Sequence, residues 1–453
     1  MISKTIASYV KQLDLSDVPE DVVKQAKRLL LDTLSTTVRG KCSEEAEILR
    51  QVVPQLGGGG NCTVILENRT YPPPQAALMN AVMAHAYELD DTDRRTFYHA
   101  GAPVISAALA AAEDRNASGK QLLEGILAGY EVSVRIADAV NPSHRTRGFH
   151  TTGTVGTFGA GIAAAKIFGL SEQEFQYTLG HSGTQAAGLF EFLNDGSMTK
   201  RLHPGKAAWN GVFAAQLAEG GMTGPVTILE GRHGFLNVTA DKTDPAMLTD
   251  RLGEDYRIQR IGIKRHAACR YAHTPIDAAL DLQREKSLDV ERIRSVNIKM
   301  SERNFSQTGK ATASTLVAAQ LSSPYAVAVA LVNRTANIDA YEHGLEDPAV
   351  LKLMNKITTE AHEPYGDFSR TATLEVKMKD GTLHEKTAEL PKGEPEEPLS
   401  EEELLQKVTE LMRTGMEQDA ISAVVETVGR LEQLDTLRPL MGHFGAMSRM
   451  GGI

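Results

Sequence analysis

Between residues 85 and 103 the chain reads His85-Ala-Tyr-Glu88-Leu-Asp90-Asp91-Thr92, then His99-Ala-Gly-Ala-Pro103. Two histidines, three carboxylates and a hydroxyl in so short a span are material for proton transfer near neutral pH. The preceding run, Gln75 to Ala84, is mostly Ala, Met, Leu and Val without a breaker. It predicts a buried helix starting after Pro72-Pro73-Pro74. A helix carried past His85 would stack His85, Glu88 and Thr92 on one face. Charged groups at the end of an apolar helix are costly to bury without a purpose. A solvated helix end, with a turn at Asp91-Thr92-Asp93, is the competing reading. The segment alone divides evenly between the two.

Other residues tilt the balance. Nine of the 13 histidines fall between His85 and His273. His99 and His150 each occupy a glycine-containing loop before a helix, in Tyr98-His-Ala-Gly101 and Gly148-Phe-His150-Thr-Thr-Gly153. Such loops on a rigid scaffold hold catalytic groups and anions. One such histidine would read as a cap or a surface residue; two beside an acidic segment favour a site. Thr199-Lys200-Arg201-Leu-His203-Pro-Gly205-Lys206 is the densest basic cluster of this half and stands before an expected helix start. Its cations and exposed N–H groups would suit an anion, although in isolation a solvated turn is the slightly stronger reading. In Lys264-Arg265-His266-Ala-Ala-Cys269-Arg270-Tyr-Ala-His273-Thr-Pro275, Thr274 is the expected N-cap and Pro275 the first helical residue. The positive helix end would then disfavour protonated His273. Tyr325, in Ser323-Pro324-Tyr325, is by type more often core than catalytic.

The elements that must position these groups change character along the chain. The 453 residues predict two domains. With 42% hydrophobic and 23% charged residues they predict a globular protein. A net charge of −10 and a pI near 5.8 argue against nucleic acid or an anionic membrane as partner. Cys42, Cys62 and Cys269 offer no disulfide framework or metal spacing and suit a reducing cytoplasm. The N-terminus lacks signal-peptide character and no run reads as a membrane span.

Up to about Ile261, helices are expected at Val22–Val38, Pro103–Glu113, Ser118 to about Val140, Gly153–Ile167, Ser171–Thr184 and, after a break at Pro204-Gly205, Ala207–Ala218. Small residues between Gly153 and Ala165 would let helix axes approach closely. They do not form a dinucleotide fingerprint, lacking its spacing and a preceding strand. After Lys264, Val296, Ile298 and Met300 alternate as in a strand, and Leu374, Val376 and Met378 do so before the hairpin signal Asp380-Gly381. Helices are expected at Pro275–Gln283, Pro324–Asn333 and Pro348–Ile357. Gly393 to Pro398 reads as a linker. Ser400 with Glu403 reads as a capping box for a helix turning Leu404, Leu405, Val408 and Leu411 inward. The expected fold is mainly α: a large all-α domain (1–263) with an inserted smaller α+β domain (264–395), the helical tail (396–453) rejoining the first.

No metal site is expected. There is no H-E-x-x-H, C-x-x-C or acidic calcium loop. Magnesium at Asp90-Asp91-Thr92-Asp93 is a minority reading beside so many histidines and arginines.

These motifs together resemble the MmgE/PrpD family, which includes 2-methylcitrate dehydratase, cis-aconitate decarboxylase and iminodisuccinate epimerase. The resemblance spans nearly the whole chain. It runs from Leu31-Asp-Thr-Leu34 with Gly40 through His85-Ala-x-x-x-Asp90-Asp-Thr92, His99-Ala-Gly-Ala-Pro103, Gly129-Tyr-Glu131 and Gly148-Phe-His150-x-Thr-Gly153. It continues in Lys200-Arg-x-His203-x-Gly205-x-Ala-Ala208, Cys269-Arg-Tyr-x-His273 and Ser323-Pro-Tyr325. It implies a helical domain with an α+β lid, a homodimer, no metal or other cofactor, and a site at the domain seam. That site would comprise Asp91, Thr92, His99, His150, Lys200, His273 and Tyr325. Glu88 stands where the family often has Asp in D-x-D-D-T; its extra methylene, about 1.5 Å, would narrow the pocket. The loop from Thr92 to His99 also differs.

The expected activity is that of a cofactor-independent lyase, a dehydratase or decarboxylase, on a small di- or tricarboxylic acid. Proton transfer would occur at carbon next to a carboxylate. His99 and His150 are the expected acid and base, with Asp91 orienting a histidine; Lys200, Arg201, His203 and Arg270 are the expected anion binders. His273 and Tyr325 would complete the site from the lid. An epimerase on the same fold is the alternative, and a non-catalytic binding protein or a metal hydrolase is a weaker one.

Overall fold

A computed structural model describes residues 1–366 and 369–445, without the side chain of residue 195. It is mainly α, 58% helical and 9% strand, and divides into two compact units. No described helix is long and apolar enough to cross a membrane.

The first unit comprises Met1–Ala86, Asp90–Gly262 and the chain from Glu401 onward. Its principal helices are α1 (Glu20–Gly40), α2 (Pro73–His85), α3 (Gly101–Asp114), α4 (Gly119–Val140), α5 (Thr151–Ile167), α6 (Glu172–Gln185) and α7 (Thr199–Glu219). Helices α2 and α3 are apolar on every side, and every residue of α2 is buried, as required of helices inside a bundle. At the start of α4, Ser118 Oγ accepts the Gln121 N–H at 3.2 Å while Gln121 Oε1 accepts the Ser118 N–H at 2.9 Å, so two otherwise orphaned donors are satisfied. Ser171 and Glu174 do the same for α6.

Helix α5 packs against α3, α4, α6 and α7. Its small residues permit this: a Cβ on Gly211 of α7 would stand 2.4 Å from the Gly161 nitrogen of α5, where no side chain fits.

Helix α7 departs from expectation. It begins at Thr199 and runs through Pro204 without ending. Proline removes one hydrogen bond, to the Lys200 carbonyl, and is unfavourable inside a helix. Packing against α2 offsets this, since Gly205 lies so near the Leu78 carbonyl that a Cβ there would be 2.8 Å away. The basic cluster is therefore the first turns of a helix, not a loop before one. Helix α2 stops at His85, so His85, Glu88 and Thr92 do not share a helix face. Glu88 instead takes a left-handed conformation, φ 58°, uncommon for a residue with a Cβ. In the tail helix Glu401–Met412, Leu404, Val408 and Leu411 are buried as expected, but Leu405 is exposed and Lys407 takes an inward place, paired with Asp32.

The second unit comprises Tyr87–Leu89 and Ile263–Ser400. Strands β1 (Ile293–Met300), β2 (Ile357–Ala361), β3 (Ala372–Met378) and β4 (Leu383–Ala388) form a sheet ordered β2-β1-β3-β4, parallel only between β1 and β2. Asp380-Gly381 makes the β3–β4 turn, with Gly381 at φ 94°. Helices α8 (His273–Lys286), α9 (Ser323–Asn333) and α10 (Pro348–Met354) accompany the sheet. The expected helix to Ile357 ends at Met354, and Ile357 opens the parallel edge strand. Gly393 to Pro398 is not a free linker. Glu394 is buried and ion-paired with Arg270 at 2.8 Å, and the Gly393 carbonyl accepts the Ile263 N–H at 2.8 Å.

Candidate functional site

In the first unit, the end of α2 and the starts of α3, α5 and α7 bring four histidines together. Asp90, just past α2, carries the carboxylate that meets two of them, His85 and His99. Its Oδ2 lies 2.7 Å from His85 Nδ1 and 3.4 Å from His99 Nδ1. Burial alone would raise the Asp90 carboxyl; the facing imidazoles of His85 and His99 outweigh it and hold the group well below its usual range. His99 Nδ1 is also 2.9 Å from the Asp91 carbonyl oxygen. Both neighbours of this nitrogen are acceptors, so it carries the proton, and in the neutral ring Nε2 is left as the basic nitrogen. The His99 N–H donates to Thr152 Oγ1 at 3.2 Å, fixing its loop to the start of α5.

His150 is the residue just before α5. Its N–H donates to the Gly188 carbonyl at 3.0 Å, and its Nδ1 lies 2.8 Å from His203 Nδ1. Phe190 and Phe192 flank the His150 ring, with centroids at 5.0 and 5.5 Å, and the His85 ring is 6.4 Å away. Burial, then the neighbouring His203, His85, Lys200 and His99, holds His150 well below the ordinary histidine range. Burial with Lys206 and Lys200 lowers His203 to about 4. Both imidazoles are therefore neutral at physiological pH. Lys200, in the first turn of α7, supplies positive charge next to them; Arg201, the following residue, is buried.

The carboxylate of Asp91 points elsewhere. It accepts the Gly101 N–H at 2.8 Å and the Tyr130 hydroxyl at 2.6 Å, so Asp91 orients His99 through its backbone carbonyl. Thr92 is buried and pairs through its backbone with Gly262. Burial raises Asp91 to about 7, the Asp90 charge adding to the shift and the Tyr130 and Gly101 bonds opposing it. A carboxyl raised in the folded state contributes stability that is complete below its ordinary pKa and lost as pH rises through about 7. Asparagine keeps the Gly101 bond, and the Tyr130 hydroxyl can turn to accept from its amide. The melting temperature of Asp91→Asn relative to wild type is therefore expected to rise by several degrees between pH 5 and pH 8. A constant difference would show that Asp91 does not titrate there.

The second unit holds the remaining residues. Lys264 Nζ lies 3.2 Å from Glu88 Oε2, both buried. Arg270 donates through Nε to Glu394 and through Nη1 to His273 Nδ1 at 3.1 Å, while His273 Nε2 donates to the Ala268 carbonyl at 3.2 Å. Both nitrogens of His273 are thus occupied. His273 is the first residue of α8, with Ala272 as N-cap, so Thr274 does not cap it. His273 is held well below the ordinary histidine range, as expected, but by burial and then by Arg270 and neighbouring cations. The Tyr325 hydroxyl donates to the Tyr341 carbonyl at 2.6 Å.

Three residues earned no role from sequence. His85 and Asp90 lay in the segment first singled out, but adjacent carboxylates cannot be told apart until the chain's course past Ala86 is known. Lys264 lay in a quoted motif without assignment.

His85, Asp90 and His99 also offer three ligand atoms within 4.8 Å of one another, the one such group among the described residues. Their spacing over fifteen positions matches no short metal motif. Ligands about 2.0–2.1 Å from a tetrahedral metal stand about 3.3 Å apart. The 2.7 Å between His85 and Asp90 is instead a hydrogen bond, so a cation would have to spread the pair.

Residues 4–248 match the MmgE/PrpD N-terminal domain and residues 266–431 the MmgE/PrpD C-terminal domain. A cis-aconitate decarboxylase-like protein of Aspergillus oryzae is 29% identical, the match covering 95% of this chain and 94% of that protein. Cis-aconitate decarboxylase of Aspergillus terreus is 27% identical over 97% of this chain and 95% of its own. The human cis-aconitate decarboxylase is 27% identical over 96% and 92%. With both family domains matched in order along one chain, this protein belongs to the MmgE/PrpD family.

Proposed function

We propose that the protein is a lyase that removes carbon dioxide from a small unsaturated di- or tricarboxylic acid, using its own side chains for proton transfer. The observation that carries this reading is the set of imidazoles, buried His150 and His203 with partly exposed His99, beside Lys200 in one unit. The similarity to cis-aconitate decarboxylases over almost the full length supports it.

Loss of carbon dioxide leaves the electron pair of the broken C–C bond on the substrate. A neighbouring carboxylate can spread that charge if cations and N–H donors face it. Lys200 and the first N–H groups of α7 are suited to that task, and Arg201 adds charge nearby. A proton must then reach carbon, and a histidine moves protons efficiently near neutral pH. His99, fixed by Asp90 and the Asp91 carbonyl, can take a proton from solvent at Nε2 and pass it to the carbon, and His150 is oriented by His203.

The test is a screen of cis-aconitate, citrate, methylcitrate and smaller unsaturated diacids, following carbon dioxide, water loss and deuterium uptake from heavy water. Carbon dioxide release from at least one acid is expected, and it should survive exhaustive chelation. Deuterium exchange without loss of a group would replace this reading with epimerisation. Water loss alone would replace it with dehydration. Restoration of chelated enzyme by one divalent metal would assign the His85–Asp90–His99 group to a cation.

A further inference from the structure

We propose that His203 is a positioning residue for His150: the two rings hold a single proton between their Nδ1 atoms, and this contact sets whether His150 presents a lone pair or an N–H at Nε2. The inference rests on the proposed role of His150 in proton transfer.

The geometry begins with the backbone. A Cβ on Gly153 would lie 3.2 Å from His203 Cβ and 2.6 Å from the Ala187 carbonyl. Only glycine lets the start of α5 come this close to α7, and the approach lays the two imidazoles together with centroids 5.0 Å apart. Their Nδ1 atoms are 2.8 Å apart. Two lone pairs facing at that distance repel, and two N–H groups collide. One ring must therefore donate and the other accept. A ring that donates at Nδ1 is, when neutral, a base at Nε2; a ring that accepts there carries its proton at Nε2. The chemical character of His150 Nε2 is thus tied to its partner.

The surroundings hold the pair in place. Phe192 packs on both rings, at 5.5 Å from His150 and 5.6 Å from His203, and Phe190 covers His150. Little water can compete for the bond in so apolar an enclosure. Lys200 opposes a positive charge on either ring and Lys206 opposes one on His203, so the resting pair holds one shared proton and no net charge.

The test compares His203→Leu with His203→Asn in the full-length protein. Leucine fills the space without a polar atom. Asparagine can place an amide near the former Nδ1 position and restore a hydrogen bond. His203→Leu is expected to lower kcat about thirtyfold while KM changes less than about threefold, and His203→Asn to recover most of the loss. Nitrogen-15 spectra of the histidines should show a strongly deshielded proton between His150 and His203 in the wild type, lost in His203→Leu. Wild-type kcat in His203→Leu would overturn the proposal. Equal losses in both variants would also overturn it, because the ring's shape and not its hydrogen bond would then matter. The spectra need no substrate. A shared proton seen in a protein without lyase activity would leave the pairing intact and count against the proposed function instead.

Discussion

Replacing His150 by alanine is expected to lower turnover at least about a hundredfold while the protein stays folded; Lys200→Ala should do the same. The magnitude is what a positioned general acid or base contributes. The argument for His150 is its protonation state. In the folded protein its ring is held neutral by burial and by His203, His85 and Lys200, so it can take up a proton and pass it on to carbon. The argument for retained fold is local. His150 makes no side-chain cap bond to α5, and its backbone bond to Gly188 survives truncation. For Lys200 the argument is charge placement. It is the second residue of α7, where a cation opposes the helix dipole and is retained at a cost. That cost is understandable where the ligand is an anion. Steady-state kinetics with the best acid from the screen, beside thermal melts, would check both. Near-normal turnover in both folded variants would remove the first unit's cluster as the reacting centre.

Much of this arrangement is legible in the residues. The apolar run before His85, the Ser118 and Ser171 caps and the Asp380-Gly381 turn have local causes, and each element forms where those causes place it. The failures share a different cause. Pro204 should have ended a helix on local grounds, but close contact with α2 keeps α7 continuous. Ile357 extends a helical pattern in sequence, yet pairing with Val296 makes it strand. Gly393 to Pro398 has the composition of a linker, and only the distant Arg270 makes Glu394 a buried residue. Within the site, nothing in Asp90-Asp91 says which carboxylate meets the histidines. That depends on the left-handed turn at Glu88, which has no glycine to announce it. Side-chain identity is read directly from sequence; side-chain direction depends on the course of the backbone and on contacts such as that of Glu394 with Arg270, 124 residues away.

The largest effect on stability is expected at Arg135, which no chemical motif brings forward. It lies in α4 and its side chain is fully buried. Nε donates to Glu131 at 2.7 Å, Nη1 to the carbonyls of Met247 and Asp250, and Nη2 to those of Arg251 and Asp255 at 3.3 and 3.0 Å. The other Glu131 oxygen accepts the Arg257 N–H at 2.8 Å. One guanidinium thus satisfies four carbonyls of an irregular segment that has little regular structure of its own. Alanine would leave the buried Glu131 carboxylate without its cation and the four part-buried carbonyls without a donor, at a cost of about 3–5 kcal/mol. Arg135→Lys should not rescue, because an ammonium cannot reach carbonyls on both sides of a planar fork. A surface control sets the scale: Lys24→Ala, which breaks an exposed ion pair with Glu401, should cost less than about 1 kcal/mol. Urea midpoints for the three variants decide the matter, and an Arg135→Ala midpoint equal to that of Lys24→Ala would refute it. The consequence reaches the site through the chain. The segment held by Arg135 continues to Gly262, which pairs with Thr92 beside Asp91, and α4 presents Tyr130 to the Asp91 carboxylate. Loosening Arg135 should therefore lower activity before global unfolding, by freeing the Asp91 carbonyl that holds His99.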